Sequence, residues 1–292
     1  MLSARPEALD RTALVRRVLV GLFFANLAVV VAKLTVGIAT GSLAVLGDAL
    51  HSIVDALNNV LGFVVIRVAA KAPDADHPYG HGKFETLGAL AIVGFMSITC
   101  FELVRDAIAR LGAGQAPPQL SDAQLAVLVG TLGLNVLVAT YETRRGRELD
   151  SDILLADAAH TRADVFITVG VLIGLLLARR GLWWADPALA LGIALFIVRI
   201  AYRIFLRAVP VLVDARAIPD TTIQALAETI EGVKRAYGIR SRDAARTRYA
   251  EVTIAVDRNA NVAAAHAIAD EVEDRLKRDL RLHEVTVHIE PC

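Results

Sequence analysis

Two short patterns, His51-x-x-x-Asp55 and His160-x-x-x-Asp164, lie more than 100 residues apart, each inside a long apolar stretch. On a helix, a spacing of four puts both side chains on one face, one turn apart. Each pair therefore offers an imidazole and a carboxylate from a single wall. Two such walls supply two nitrogens and two oxygens, a set that suits tetrahedral zinc. The competing reading is a set of hydrogen bonds between helices with no metal. Ionisable groups within a bilayer are costly and need strong partners, which favours a metal. Asp48 and Asp157 each stand three positions before a histidine of these pairs. They could orient the imidazoles or act as vestibule charges that attract cations.

A second cluster is the run Asp74-Ala75-Asp76-His77-Pro78-Tyr79-Gly80-His81-Gly82-Lys83. Asp74, His77 and His81 can converge in a turn stiffened by Pro78 and freed by Gly80 and Gly82. Three ligands leave a coordination position for water, so this site is expected to be weaker and more exposed. The alternative is a solvated polar loop. A third set comes from His266, His283, His288 and Glu290; the last two share a face if the chain end is a strand. Exposed His and Glu on a strand often bind nothing.

These residues must be positioned by an apolar framework. The 292 residues are 55% hydrophobic, with net charge zero and mean hydropathy +0.51, too apolar for an ordinary soluble domain. The neutral balance gives no reason to expect a nucleic-acid partner. Cys100 and Cys292 are too few and too distant for a disulfide framework. About 20 mostly apolar residues cross a bilayer, and six stretches qualify: Val18–Ile38, Leu43–Val68, Leu87–Leu111, Leu120–Tyr141, Ile153–Ala178 and Pro187–Leu206. The expected organisation is an N-terminal segment 1–17, a six-helix transmembrane domain 18–208 and a C-terminal domain 209–292.

Basic residues mark the sides of the membrane. One set of span ends holds Arg5, Arg11, Arg16, Arg17, Arg67, Lys71, Lys83, Arg144, Arg145, Arg147, Arg199, Arg203 and Arg207. The other holds Arg105, Arg110, Arg179 and Arg180. This places both termini in the cytoplasm. Beyond Asp214 the periodicity changes. Thr221–Glu231 and Asn261–Leu280 read as helices; Val233–Ile239, Tyr249–Val256 and Glu284–Glu290 read as strands. The order αββαβ predicts a small α+β domain that dimerisation would help stabilise.

The stretch Gly-Ser-Leu-Ala-Val-Leu-Gly-Asp-Ala-Leu-His51-Ser-Ile-Val-Asp55, the loop Asp-His77-Pro-Tyr-Gly-His81-Gly-Lys83-Phe-Glu85 and the run Ala-Asp-Ala-Ala-His160-Thr-Arg-Ala-Asp164 together resemble the cation diffusion facilitator family, over nearly the whole length. The resemblance implies a homodimeric, proton-coupled exporter of divalent cations with six membrane helices and a metallochaperone-like cytoplasmic domain, in a bacterial-type inner membrane. It places the transport site on His51, Asp55, His160 and Asp164 and the loop site on Asp74, His77 and His81. It also pairs Lys83 with Asp214 in locking the dimer near the membrane. Histidine at the first transport position points to zinc, as transported substrate and regulatory ligand, with H+ as coupling ion. The tail departs from the family pattern, lacking histidines near Tyr237 and Thr253. His266, His288 and Glu290 remain, and imply one weaker site.

Two other functions compete. A broader exporter would carry cadmium, cobalt, iron or manganese. A membrane metal sensor would signal through its tail. The lack of H-E-x-x-H and a four-ligand site with no open position argue against an intramembrane metalloprotease.

Overall fold

The computed structural model describes residues 6–40, 43–113, 122–178, 180–182, 184–244 and 247–292; side chains at some helix positions, His51 and Asp55 among them, lie outside the description. The chain divides into two compact units, 1–206 and 207–292.

The first unit is built from six long helices: α1 (Pro6–Thr40), α2 (Leu43–Ala69), α3 (Lys83–Ala113), α4 (Asp122–Glu148), α5 (Asp152–Ala178) and α6 (Ala185–Leu212). α1 begins at Pro6, so the polar N-terminal segment is largely helical; proline suits a first turn, whose N–H groups lack partners anyway. Among the described residues, α1, α3, α4 and α6 are long and apolar enough to cross a membrane. α2 and α5 are as long, at 27 residues each. In α5 the charges Asp157, Arg162 and Asp164 interrupt the apolar run, and in α2 the described side chains form an apolar stretch over Ala56–Ala69.

Inside the bundle, Leu19 of α1, Ile66 of α2, Ile92 and Met96 of α3, Ile153 and Leu154 of α5, and Ile197 of α6 form one buried core. Phe24, Phe101, Leu137, Leu176, Leu195 and Tyr202 instead point outward. A bundle that exposes large apolar side chains on its rim is suited to lipid rather than water. A Cβ on Gly88 would lie 2.6 Å from Val65 and 2.9 Å from Ile153, so the glycine lets α3 sit directly on α2 and α5.

The turn between α4 and α5 is short. Asp150 takes a left-handed φ of 45°, and Ser151 N–H donates to the Gly146 carbonyl at 2.9 Å, capping the end of α4. Arg11 of α1 closes this corner. Its guanidinium donates to both oxygens of Glu85 at 3.1 Å, to the Leu149 carbonyl at 2.7 Å and to the Asp150 carbonyl at 3.0 Å. Ser151 Oγ adds a 2.5 Å bond to the same carboxylate. A buried ion pair of this kind tolerates loss of neither partner.

The second unit runs α7 (Asp220–Ala227), β1 (Arg235–Ala244), β2 (Thr247–Val256), α8 (Val262–Leu280) and β3 (Glu284–Pro291). This is the αββαβ order read from the sequence, with β1 starting two residues later and running further. β2 is central, antiparallel to β1 and parallel to β3. The register slips between Tyr237 and Arg240, where Gly238 has φ 62°. A bulge there needs a residue at ease with positive φ. α8 is capped by Asn261, whose side chain accepts from Ala264 N–H, and buries Ala265, Ala269, Val272 and Leu276 on one face. That stripe covers Ile254, Val256 and Val285 of the sheet in one core.

Candidate metal centre

α5 is almost continuously buried from Ile153 to His160. Ala156, Ala158, Ala159 and Ala163 supply small contact surfaces that let neighbouring helices approach. His160 is 4% exposed. Its Nε2 lies 3.9 Å from Asp164 Oδ2, confirming that the four-residue spacing brings imidazole and carboxylate together. Two ligand atoms on one tetrahedral zinc stand about 3.3 Å apart, given bonds of about 2.0–2.1 Å. The pair therefore needs only a small side-chain adjustment to share an ion. α2 touches α5 and carries His51 and Asp55 on its backbone; their side chains, and that of Asp48, lie outside the described residues.

Asp157 is buried and faces α4 instead of an open vestibule. Its carboxyl neighbours that of Glu142, and Thr161 Oγ1 donates to Glu142 Oε2 at 3.2 Å. Glu142 is 1% exposed, and motif reading passed over it. Its signal was a carboxylate at the edge of an apolar span.

A cavity of about 360 Å³ opens beside Asp164. It is bordered by Asn26 and Lys33 of α1, Ser52 of α2, Glu102 and Asp106 of α3, Asn135 of α4 and Thr168 of α5. Every one of these α2, α3 and α5 residues lies in the half of its helix remote from the loop between α2 and α3. The polar path from Asp164 thus runs away from that loop. Lys33 and Glu102 were also missed in the sequence, although a charge inside an apolar run is itself a signal.

The loop site is assembled. Asp74 Oδ1 accepts the N–H groups of Asp76 at 3.1 Å and His77 at 2.7 Å, an Asx turn that folds the chain back on itself. Gly80, at φ 84°, donates its N–H to the His77 carbonyl at 2.9 Å. As a result His77 Nδ1 and His81 Nε2 each lie 3.3 Å from an Asp74 oxygen. One potential ligand atom from each of the three residues falls within 4.8 Å of the others, the single such group among the described residues. His81 is buried and packs on Phe84, while Asp74 and His77 face outward. The His77 backbone N–H, helped by the His77 and His81 rings, holds the Asp74 carboxyl below the usual carboxylate range. An anion between two imidazoles at these separations offers one potential ligand atom from each of three residues, the geometry a cation seat would need.

The tail residues do not converge in this way. His266 on α8 faces Asp270 at 3.7 Å. His288 faces Glu290 at 3.6 Å, and Tyr237 donates its hydroxyl to Glu290, which raises the tyrosine pKa. His283 stands edge-on to the Tyr249 ring at 5.7 Å. Among the described residues no three of these His, Asp and Glu side chains converge. Asp214 faces Arg242 at 3.8 Å.

Comparison with known proteins agrees with the architecture. Residues 19–213 match the model of the cation efflux transmembrane domain, and residues 219–292 match that of the cation efflux protein cytoplasmic domain. The manganese efflux system protein MneS of Bacillus subtilis is 32% identical over 89% of this chain and 89% of its own. The cation-efflux pump FieF of Shewanella oneidensis is 30% identical over 91% of this chain and 90% of its own. Among solved structures, a MamM C-terminal domain aligns at 26% identity over 25% of this chain and 91% of its own, with a TM-score of 0.24. With six long helices and a helix-covered three-stranded tail, this chain belongs to the cation diffusion facilitator family of membrane cation-efflux transporters, which are not enzymes.

Proposed function

We propose that this transporter exports zinc in exchange for protons, by alternating access of a four-ligand site formed by His51, Asp55, His160 and Asp164. The observation that carries this reading is the buried His160–Asp164 pair at the edge of a polar cavity, on the helix that touches α2. Two imidazoles and two carboxylates match zinc in number, charge and softness. Each imidazole must lose its proton to bind metal, so protonation from the opposite side releases the ion. The chain works as a homodimer in an inner membrane, and the basic residues at the span ends argue for cytoplasmic termini. The cavity beside Asp164 is then the exit vestibule, and the Asp74–His77–His81 seat faces the cytoplasm as a second, weaker ion site. His266, His288 and Glu290 form at most a minor regulatory site.

The test is metal flux in proteoliposomes under an imposed pH gradient. His160→Ala or Asp164→Asn should abolish zinc flux while the protein remains folded and dimeric; unimpaired flux in either variant refutes the site. A second reading, manganese export, is favoured by the 32% identity to a protein named for manganese efflux. The same assay separates the two. Zinc flux at least about tenfold above manganese at equal concentration supports an imidazole-selected site; the reverse order supports the second reading.

A further inference from the structure

Lys33 is a lysine inside an apolar helix, 4% exposed, and its ammonium donates to Ser52 Oγ at 2.8 Å. Ser52 directly follows His51 and is itself 5% exposed. Lys33 also borders the cavity that contains Asp164, together with Glu102 and Asp106. Among the described residues that line it, Lys33 is the one basic group. A conduit for divalent cations would be expected to keep positive charge out of its wall, because like charges repel strongly where water is scarce. Burying an ammonium there is also costly unless anions compensate it.

We propose that Lys33 is a tethered counter-cation of the transport cavity. Between metal loads its ammonium neutralises the carboxylates around it, and with metal present it weakens the hold on the ion enough for release. The inference rests on the transport reading above. Three features support it. The ammonium is fixed by Ser52 at the residue adjoining the α2 metal pair. It shares one cavity with Asp164 and Glu102, while the third carboxylate there, Asp106, already pairs with Arg105 at 3.1 Å. A lysine presents a compact point charge on a flexible stem, able to give way to an incoming ion. Lys33 is a positioning residue in this scheme and not a metal ligand, since an ammonium has no lone pair to offer.

The experiment compares full-length wild type, Lys33→Met, Lys33→Gln and Lys33→Arg in proteoliposomes, with zinc as probe, alongside equilibrium zinc binding in detergent. Removing a unit charge from the cavity should tighten zinc binding and lower KM by about tenfold in the Met and Gln variants, with a reduced maximal rate as release slows. Lys33→Arg, which keeps the charge, should hold KM within about twofold of wild type. Unchanged or weaker zinc binding in the neutral variants overturns the proposal. So does failure of both neutral variants to assemble while Lys33→Arg is normal in fold but shifted in KM. If wild type transports zinc, Asp164→Asn abolishes it and Lys33→Met leaves KM unmoved, only this inference falls. If Asp164→Asn transports normally, the transport site itself falls.

Discussion

Asp74→Asn separates the two jobs that Asp74 performs in the loop. Its Oδ1 accepts the Asp76 and His77 N–H groups at 3.1 and 2.7 Å, and an asparagine oxygen can accept both, so the turn should survive. What is lost is the anion 3.3 Å from each imidazole. Losing a carboxylate ligand and its charge from a three-ligand seat should weaken zinc binding at the loop by roughly 10–100-fold. The assay is calorimetric zinc titration of the full chain, in a His160→Ala background that removes the transport site. His77→Ala serves as a reference for complete loss. The pH dependence follows from the lowered Asp74 pKa. A carboxylate depressed on folding contributes stability above its unfolded value of about 3.9 and loses it as pH falls through the folded value. Asp74 therefore stays charged throughout mild acid, and loss of zinc on acidification must come from proton competition at the imidazoles. Wild-type zinc affinity in Asp74→Asn, or a loop that loses its protease resistance in that variant without metal, would refute the assignment of two separable roles.

Other outcomes follow from the packing. Arg11→Met leaves the Glu85 carboxylate buried without its guanidinium partner and should destabilise the bundle by about 3–5 kcal/mol, read by denaturant titration in detergent. Adding Glu85→Gln should recover much of that loss, and simple additivity of the two would count against a shared clamp. Gly88→Val forces a Cβ into Val65 and Ile153, at 2.6 and 2.9 Å. It should reduce zinc flux while the second unit stays folded, with circular dichroism and flux measured together. Leu276→Ala empties a fully buried position under the sheet and should cost about 2–5 kcal/mol, seen as earlier proteolysis of the tail in the full chain.

Much of this molecule is local and therefore written in the chain. Helix periodicity and the length of apolar runs placed all six long helices and the αββαβ tail, because each depends on neighbours a few residues away. The four-residue spacing of His160 and Asp164 sufficed to bring them together on one wall. The Asp74–His77–His81 cluster was legible for the same reason: an Asx turn and a positive-φ glycine act within seven residues.

What could not be read is what depends on which helix faces which. Lys33 and Ser52 are 19 residues apart, Arg11 and Glu85 are 74 apart, and the Glu142–Asp157 contact joins two different helices. No periodicity announces those partners, because charges placed in an apolar core are satisfied by whatever the packing brings close. The tail histidines show the reverse case: their residue types suggested a common site, yet α8 and β3 hold them in separate pairs. Sequence alone determined which imidazoles and carboxylates stand within one helical turn or one tight loop of each other. Tertiary packing decided that Asp164 borders a cavity with a buried lysine in its wall, since only the approach of α1, α2, α3, α4 and α5 creates that shared space.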